Sequence, residues 1–188
     1  MSASRQSKDV SAATALVLPL DFDGIYRSEV GFIWGFLRKL GIAERDVEDV
    51  AHEVFMVVYR KLAQFDSTRP LRPWVVGITL RVASDQRRRA WRRRERIEDP
   101  HTLNPPVESQ AEAKVEAMRQ STLVRAALDK LPPEQRAALV LHDVEGYTMT
   151  EIAQMSSTPM NTLYTRLRRG RGLFTRTLRK LQQNASRP

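Results

Sequence analysis

The side chains in this sequence best equipped for chemistry are arginines, and they come in two blocks. Seven lie between Arg87 and Arg96, and eight basic residues with no acidic one fall between Met160 and Pro188. A guanidinium pairs with phosphate and can bond a guanine edge through a planar fork of donors, so both blocks suit a polyanionic partner. The whole chain leans the same way: 31 Lys plus Arg against 22 Asp plus Glu give a formal charge of +9 and a pI near 10.4. Solvated helix faces would produce a similar composition, so the pattern around each block has to decide.

Acidic residues concentrate in one early segment, Glu44, Asp46, Glu48, Asp49 and Glu53, which suits a surface meeting protein rather than nucleic acid. His52 beside Glu53 makes a poor metal or acid–base pair, because helix neighbours point about 100° apart and no other histidine shares the segment. There is no cysteine, which removes disulfides, thiolate metal sites and thiol nucleophiles and fits a reducing cytoplasm. Neither a phosphate-cradling glycine loop nor a set of carboxylates with metal spacing is present. The chain is therefore read as a non-enzyme with no metal, cofactor or small-molecule substrate.

Helices must position these groups. Tyr26, Val30, Ile33, Leu37 and Leu40 recur at helical spacing before Gly41, a natural stop. A second helix is expected from Glu44 to Leu62, with Val47, Val50, Ala51, Val54, Phe55 and Val58 along one side and the acids along the other. After the prolines at 70 and 73, Trp74 to Ala83 resumes an apolar pattern that runs directly into the first arginine block. The composition then turns polar from Glu95 to Gln120, with Pro100, Pro105 and Pro106, as expected of a linker.

Beyond it, helices are expected over Ser121 to Leu131 and Glu134 to Val144. Thr148 followed by Glu151 is a capping-box pattern, Ser156 to Thr158 a polar turn, and Thr158 an N-cap that leaves Pro159 at the first helical position. Two short helices joined tightly, the second basic, form a helix-turn-helix pattern. Leu163 and Leu167 would anchor the second helix, turning Tyr164, Thr165, Arg168 and Arg169 outward, while Thr162 and the helix start suit a backbone phosphate. The first 20 residues, with Arg5 and Lys8 ahead of Val10 to Leu20, superficially match a secretory signal. Ser11, Thr14 and Pro19 interrupt the run, so a loose tail is expected.

At these residues the chain resembles a known family. Leu131-Pro132-Pro133-Glu134-Gln135-Arg136, Asp143 to Tyr147, Glu151-Ile152-Ala153 and Asn161 to Leu167 look like region 4 of extracytoplasmic-function (ECF) sigma factors. Asp49 to Phe55, Phe65-Asp66 and Trp74 to Asp85 resemble region 2 of the same group, within the sigma-70 family. The resemblance covers about Phe22 to Leu181 and implies an all-α chain of two small helical domains, the second carrying the helix-turn-helix, joined by a flexible linker. The expected division is 1–20 tail, 21–94 region 2, 95–120 linker, 121–182 region 4 and 183–188 tail.

By resemblance, Asp49, His52 and Glu53 dock on the clamp helices of the largest subunit of core RNA polymerase. Arg81, Asp85, Arg87, Arg88, Arg89, Trp91 and Arg92 face the melted −10 element, with Arg93 and Arg94 adding to phosphate neutralisation. Thr162, Tyr164, Thr165, Arg166, Arg168, Arg169 and Arg171 face the duplex −35 element. Trp74 is expected in the core and Trp91 as a stacking platform or hydrophobic anchor. An anti-sigma factor is an expected partner and the cytoplasm the expected location. Two departures stand out: Ser156 and Ser157 replace an apolar residue and a glycine common in relatives, implying a looser turn, and Arg81 and Asp85 replace asparagines. The competing readings are a stand-alone helix-turn-helix regulator that binds duplex DNA without polymerase, and a nonspecific basic packaging protein.

Overall fold

The computed structural model describes residues 21–94 and 112–185. The expected N-terminal tail, most of the expected linker and residues 186–188 lie outside them, as do the side chains of Trp91 to Arg94. The described residues are all-α: α1 (Phe22–Leu40), α2 (Glu44–Lys61), α3 (Leu71–Arg94), α4 (Glu112–Asp129), α5 (Pro133–Leu139), α6 (Met149–Ser156) and α7 (Met160–Ala185). A short 3-10 turn (Leu62–Gln64) follows α2, and a π turn (Val140–Val144) continues α5.

The first bundle is α1, α2 and α3. Asp21 opens α1 by accepting from the Asp23 amide, and Gly41 ends it at a φ of +91°, a left-handed conformation that costs a side chain and suits glycine. The expected apolar stripes face one another: Ile33, Phe36, Leu37 and Leu40 of α1 are buried with Val47, Val50, Val54 and Val58 of α2 and Val75 and Val76 of α3. Trp74 packs beside Phe65, ring centroids 4.7 Å apart, half-buried against the core in which it was expected.

The second bundle is α4 to α7. Its helix α4 begins at Glu112, nine residues before the expected start at Ser121, because Glu112 to Gln120 consists, apart from Val115, of strong helix formers and is free of proline. Leu139, Val140, Leu141, Ile152, Leu163 and Leu167 form its core. The capping box opening α6 is present: Thr148 accepts from the Glu151 amide, and the Thr148 amide donates back to Oε2 of Glu151 at 2.8 Å. The start of α7 is offset by one residue. The Leu163 amide bonds the carbonyl of Pro159 while the Thr158 hydroxyl bonds that of Ser156, so Pro159 takes the cap position expected of Thr158.

The buried residues of the two bundles join in one continuous cluster. α6 packs on the apolar half of α3, and α5 reaches the C-terminal end of α1. The two basic helices share α6 as a partner and otherwise pack apart, α3 on α1 and α2, and α7 on α4 and α5.

Candidate nucleic-acid interface

Helix α7 is bound to its bundle by Leu163, Leu167 and Gly170, one turn apart along a single side. A Cβ on Gly170 would sit 3.0 Å from the Gln135 carbonyl, so the absence of a side chain there lets the backbones of α5 and α7 approach closely. That anchoring turns Thr162, Tyr164, Thr165, Arg168 and Arg169 to solvent, all five as expected. Tyr164 is 52% exposed, a large aromatic surface open to solvent. The Thr165 hydroxyl donates to the Asn161 carbonyl at 2.9 Å, leaving its oxygen lone pairs and methyl group to face outward.

The remaining two arginines of the expected set differ. Arg166 pairs with Glu134 of α5 at 3.1 Å, and Arg171 pairs with Asp143 of the π turn, Nε to Oδ2 at 2.8 Å, with His142 beside it. The Arg171 guanidinium, with His142, holds the Asp143 carboxyl below the usual aspartate range against the opposing effect of burial. Both arginines thus tie α7 to α5 and its π-turn continuation, and present a partly neutralised charge. Arg176, absent from the expected set, joins Gln135, Arg168, Arg169, Arg171 and Thr175 around an open groove of about 780 Å³. Its spacing of seven from Arg169 is the helical signal that marks it. Asn161 and Met160 are also exposed on the first turn of α7, where a recognition helix meets base edges.

The turn before α7 is closed. Ser157 adopts a left-handed φ of +51°, and the amides of Ser157 and Thr158 both donate to the Ala153 carbonyl. The looser turn expected from Ser156 and Ser157 is not formed; Ser157 takes the strained conformation that glycine adopts freely.

On α3 the apolar residues Val75, Val76, Ile78, Val82 and Ala83 are buried. Arg81, Asp85, Arg88 and Arg89 are exposed, with Asp85 and Arg88 paired across one turn at 3.5 Å. Arg89 bridges to Glu53 of α2 at 3.3 Å, so a residue expected to meet DNA and one expected to meet polymerase hold each other. Arg87 departs from expectation. Its guanidinium is largely buried, donates to the Leu40 and Ala83 carbonyls, and is made easier to deprotonate by that burial, with Arg136 nearby acting in the same direction. Its place is inside the bundle because position 87 lies one turn beyond buried Ala83, on the side facing the end of α1.

The outer face of α2 carries exposed Glu48, Asp49 and His52 with partly exposed Glu53. Met56 and Tyr59, 39% and 62% exposed, extend the same face. Their spacing of seven from Asp49 and His52, off the apolar stripe, is the helical signal that could have found them. No helix among the described residues is long and apolar enough to cross a membrane.

The described residues thus form two packed helical bundles, one with an arginine-rich helix end and an acidic flank, the other with a helix-turn-helix. The comparisons agree. Sigma-70 region 2 matches residues 25–93 and Sigma-70 region 4 matches residues 121–173. The ECF RNA polymerase sigma factor SigE of Mycolicibacterium smegmatis is 30% identical over 151 residues, which make up 80% of this chain and 58% of SigE. The RNA polymerase sigma-H factor of Pseudomonas aeruginosa is 27% identical over 163 residues, 81% of this chain and 83% of that protein. Among solved structures, the sigma factor RpoE in complex with the anti-sigma factor NepR from Bartonella quintana shares the fold at a TM-score of 0.67 and 18% identity, over 85% of this chain and 97% of that one. CnrH in complex with the cytosolic domain of CnrY does so at 0.59 and 24%, over 85% and 88%. The chain belongs to the sigma-70 family of RNA polymerase sigma factors, in its extracytoplasmic-function group.

Proposed function

We propose that this chain is an alternative sigma factor: it binds core RNA polymerase and directs initiation at a restricted set of promoters, contributing recognition while the polymerase performs catalysis. The supporting observation is the presence, in one chain, of two separate arginine-bearing helices and of an acidic helix face that precedes the first of them in sequence. Asp49, His52 and Glu53, extended by Met56 and Tyr59, dock on the clamp helices of the largest subunit, with charge complementarity setting the register. Arg81, Asp85, Arg88 and Arg89, with Trp91 and Arg92, face the melted −10 element, where each captured and stacked base offsets melting by about 1–3 kcal/mol. Arg87 supports that helix from inside.

Tyr164, Thr165, Arg168 and Arg169 meet the −35 duplex, Thr162 and the start of α7 hold a phosphate, and Arg166 and Arg171 brace the helix. Region 2 comprises residues 21–94 and region 4 the residues from 121 to 182, with the start of α4 as a lead-in. An anti-sigma factor restrains the chain in the cytoplasm. A stand-alone helix-turn-helix regulator has no use for the acidic face of α2 or the region 2 match. Run-off transcription with purified core polymerase on genomic fragments tests the proposal: defined transcripts that require the chain are expected. Failure to bind core enzyme at moderate salt would leave the stand-alone regulator.

A further inference from the structure

Gly170 and Gly172 stand two residues apart on α7 and do different things. Gly170 is required by packing, since a Cβ there would press on the Gln135 carbonyl, whereas a Cβ on Gly172 would meet nothing within 4 Å. No positive φ asks for glycine at 172 either, and glycine inside a helix is less stable than alanine. Gly172 is exposed, and it lines the open groove of about 780 Å³ that runs along α7.

Cations bracket the glycine. Arg169 lies one turn before it and Arg176 one turn after, spaced seven and so on one line along the helix, with Thr175 beside Arg176. The two arginines start about 10 Å apart along the axis, so both guanidiniums can fold over one group seated on Gly172. Arg169 and Arg176 make no ion pair among the described residues, and α7 contains no carboxylate. Arg171, on the same rim, is partly neutralised by Asp143. The open glycines of α1 differ: Gly31 and Gly35 each have basic residues one turn away on one side only.

Unpaired cations on both sides of a bare position fit an anion, and the place along the helix says which. With the first turn of α7 at base edges, Gly172 lies roughly 16 Å further along the axis than Asn161. The major groove is only about 8.5 Å deep, so Gly172 falls where the helix passes the sugar–phosphate backbone. A residue without a side chain lets a strand come close to the helix main chain there. We propose that the Gly172 groove is a phosphate seat: Arg169 and Arg176, with the Thr175 hydroxyl, hold one backbone phosphate of the DNA flanking the −35 element, and glycine at 172 leaves room for it. This deepens the sigma-factor function above and rests on it for the DNA. Such a contact sets the register of α7 on the duplex and carries no base preference.

Methylphosphonate substitution, which removes the charge of one phosphate at a time, locates the seat. The probe is a duplex carrying the −35 element of a promoter recovered by run-off transcription, titrated with core polymerase and the full-length chain. Neutralising one phosphate beside the element is expected to weaken wild-type binding several-fold and to have little effect on Arg176→Ala. Gly172→Leu fills the groove. It is expected to weaken binding to the unmodified duplex several-fold while raising the melting temperature of the free chain by about 2–4 °C, because leucine is the better helix former and its side chain enters open space. A glycine needed only for structure would lose stability and affinity together.

A Gly172→Leu chain that binds as tightly as wild type would overturn the seat. So would an Arg176→Ala chain whose response to every neutralised phosphate matches wild type, the mark of a diffuse charge effect or of an acidic protein as the partner of this groove. A chain that never binds core polymerase sinks the sigma-factor function, and the seat is then read with the free chain on duplex DNA of arbitrary sequence. There Arg176→Ala is expected to flatten the salt dependence of binding by about 0.9 in slope, and an unchanged slope would overturn the seat by itself.

Discussion

Burial separates the arginines into three kinds. Arg136 is buried and Arg87 half-buried, and both satisfy helix-end carbonyls; Arg166, Arg171 and Arg89 pair with carboxylates of neighbouring elements; Arg168 and Arg169 stand in solvent on α7. Replacing both Arg168 and Arg169 by alanine is expected to weaken −35 duplex binding by about 1–3 kcal/mol for each contact to a base edge, read by fluorescence anisotropy of the polymerase complex, with core binding unchanged. Arg166→Ala should cost little in DNA affinity, since the side chain already faces Glu134, and at most about 1 kcal/mol in stability for so exposed a pair. Asp143 gives a pH signature. Its carboxyl is held low by Arg171, so the stabilisation is complete above the ordinary aspartate value and fades as pH falls through the depressed one. Asp143→Asn should therefore lower the melting temperature near neutrality, and its deficit should shrink as the buffer is taken below pH ~4. The outward set on α7 was legible because Leu163 and Leu167 fix the helix phase. The partners of Arg166 and Arg171 were not, because Glu134 and Asp143 reach them only through tertiary packing.

Helices whose ends are written locally were legible as well. Gly41 stops α1, and Thr148 with Glu151 opens α6, because each signal lies within one turn of the boundary it sets. The early start of α4 was masked by a polar composition that suits a linker and an exposed helix equally, and the π turn after α5 carries no sequence signal of its own. Thr148→Ala removes one side of the capping box and is expected to cost about 1 kcal/mol, seen as a lower urea midpoint. Ser157→Gly should act in the opposite sense. A non-glycine residue in the left-handed region carries a steric penalty that glycine avoids, so the substitution should stabilise the helix-turn-helix by roughly 0.5–1 kcal/mol, after allowing for the greater freedom of glycine in the unfolded chain. Chemical denaturation of the two variants side by side checks both signs.

At the scale of the whole molecule, the two-bundle architecture could be read from the motifs, while the seam between them could not: Arg136 sits in a run that looks local, and its carbonyl partners lie 97 and 98 residues away. Charge distribution connects the scales. The positive charge is concentrated on α3 and α7, so salt should weaken DNA binding according to how many phosphates each helix neutralises. The logarithm of affinity for duplex DNA falls with the logarithm of salt at about 0.9 per phosphate neutralised. Because Arg168 and Arg169 border the cationic groove with Arg171 and Arg176, their joint replacement is expected to flatten that slope by about one unit for each phosphate they neutralise. Tyr164→Ala removes exposed surface and no charge, so its line should run parallel to the wild type, displaced to weaker binding. Titrations of the polymerase complex on a −35 duplex at several salt concentrations distinguish the two behaviours. Parallel lines for the double arginine variant would mean that these arginines read bases rather than hold the backbone.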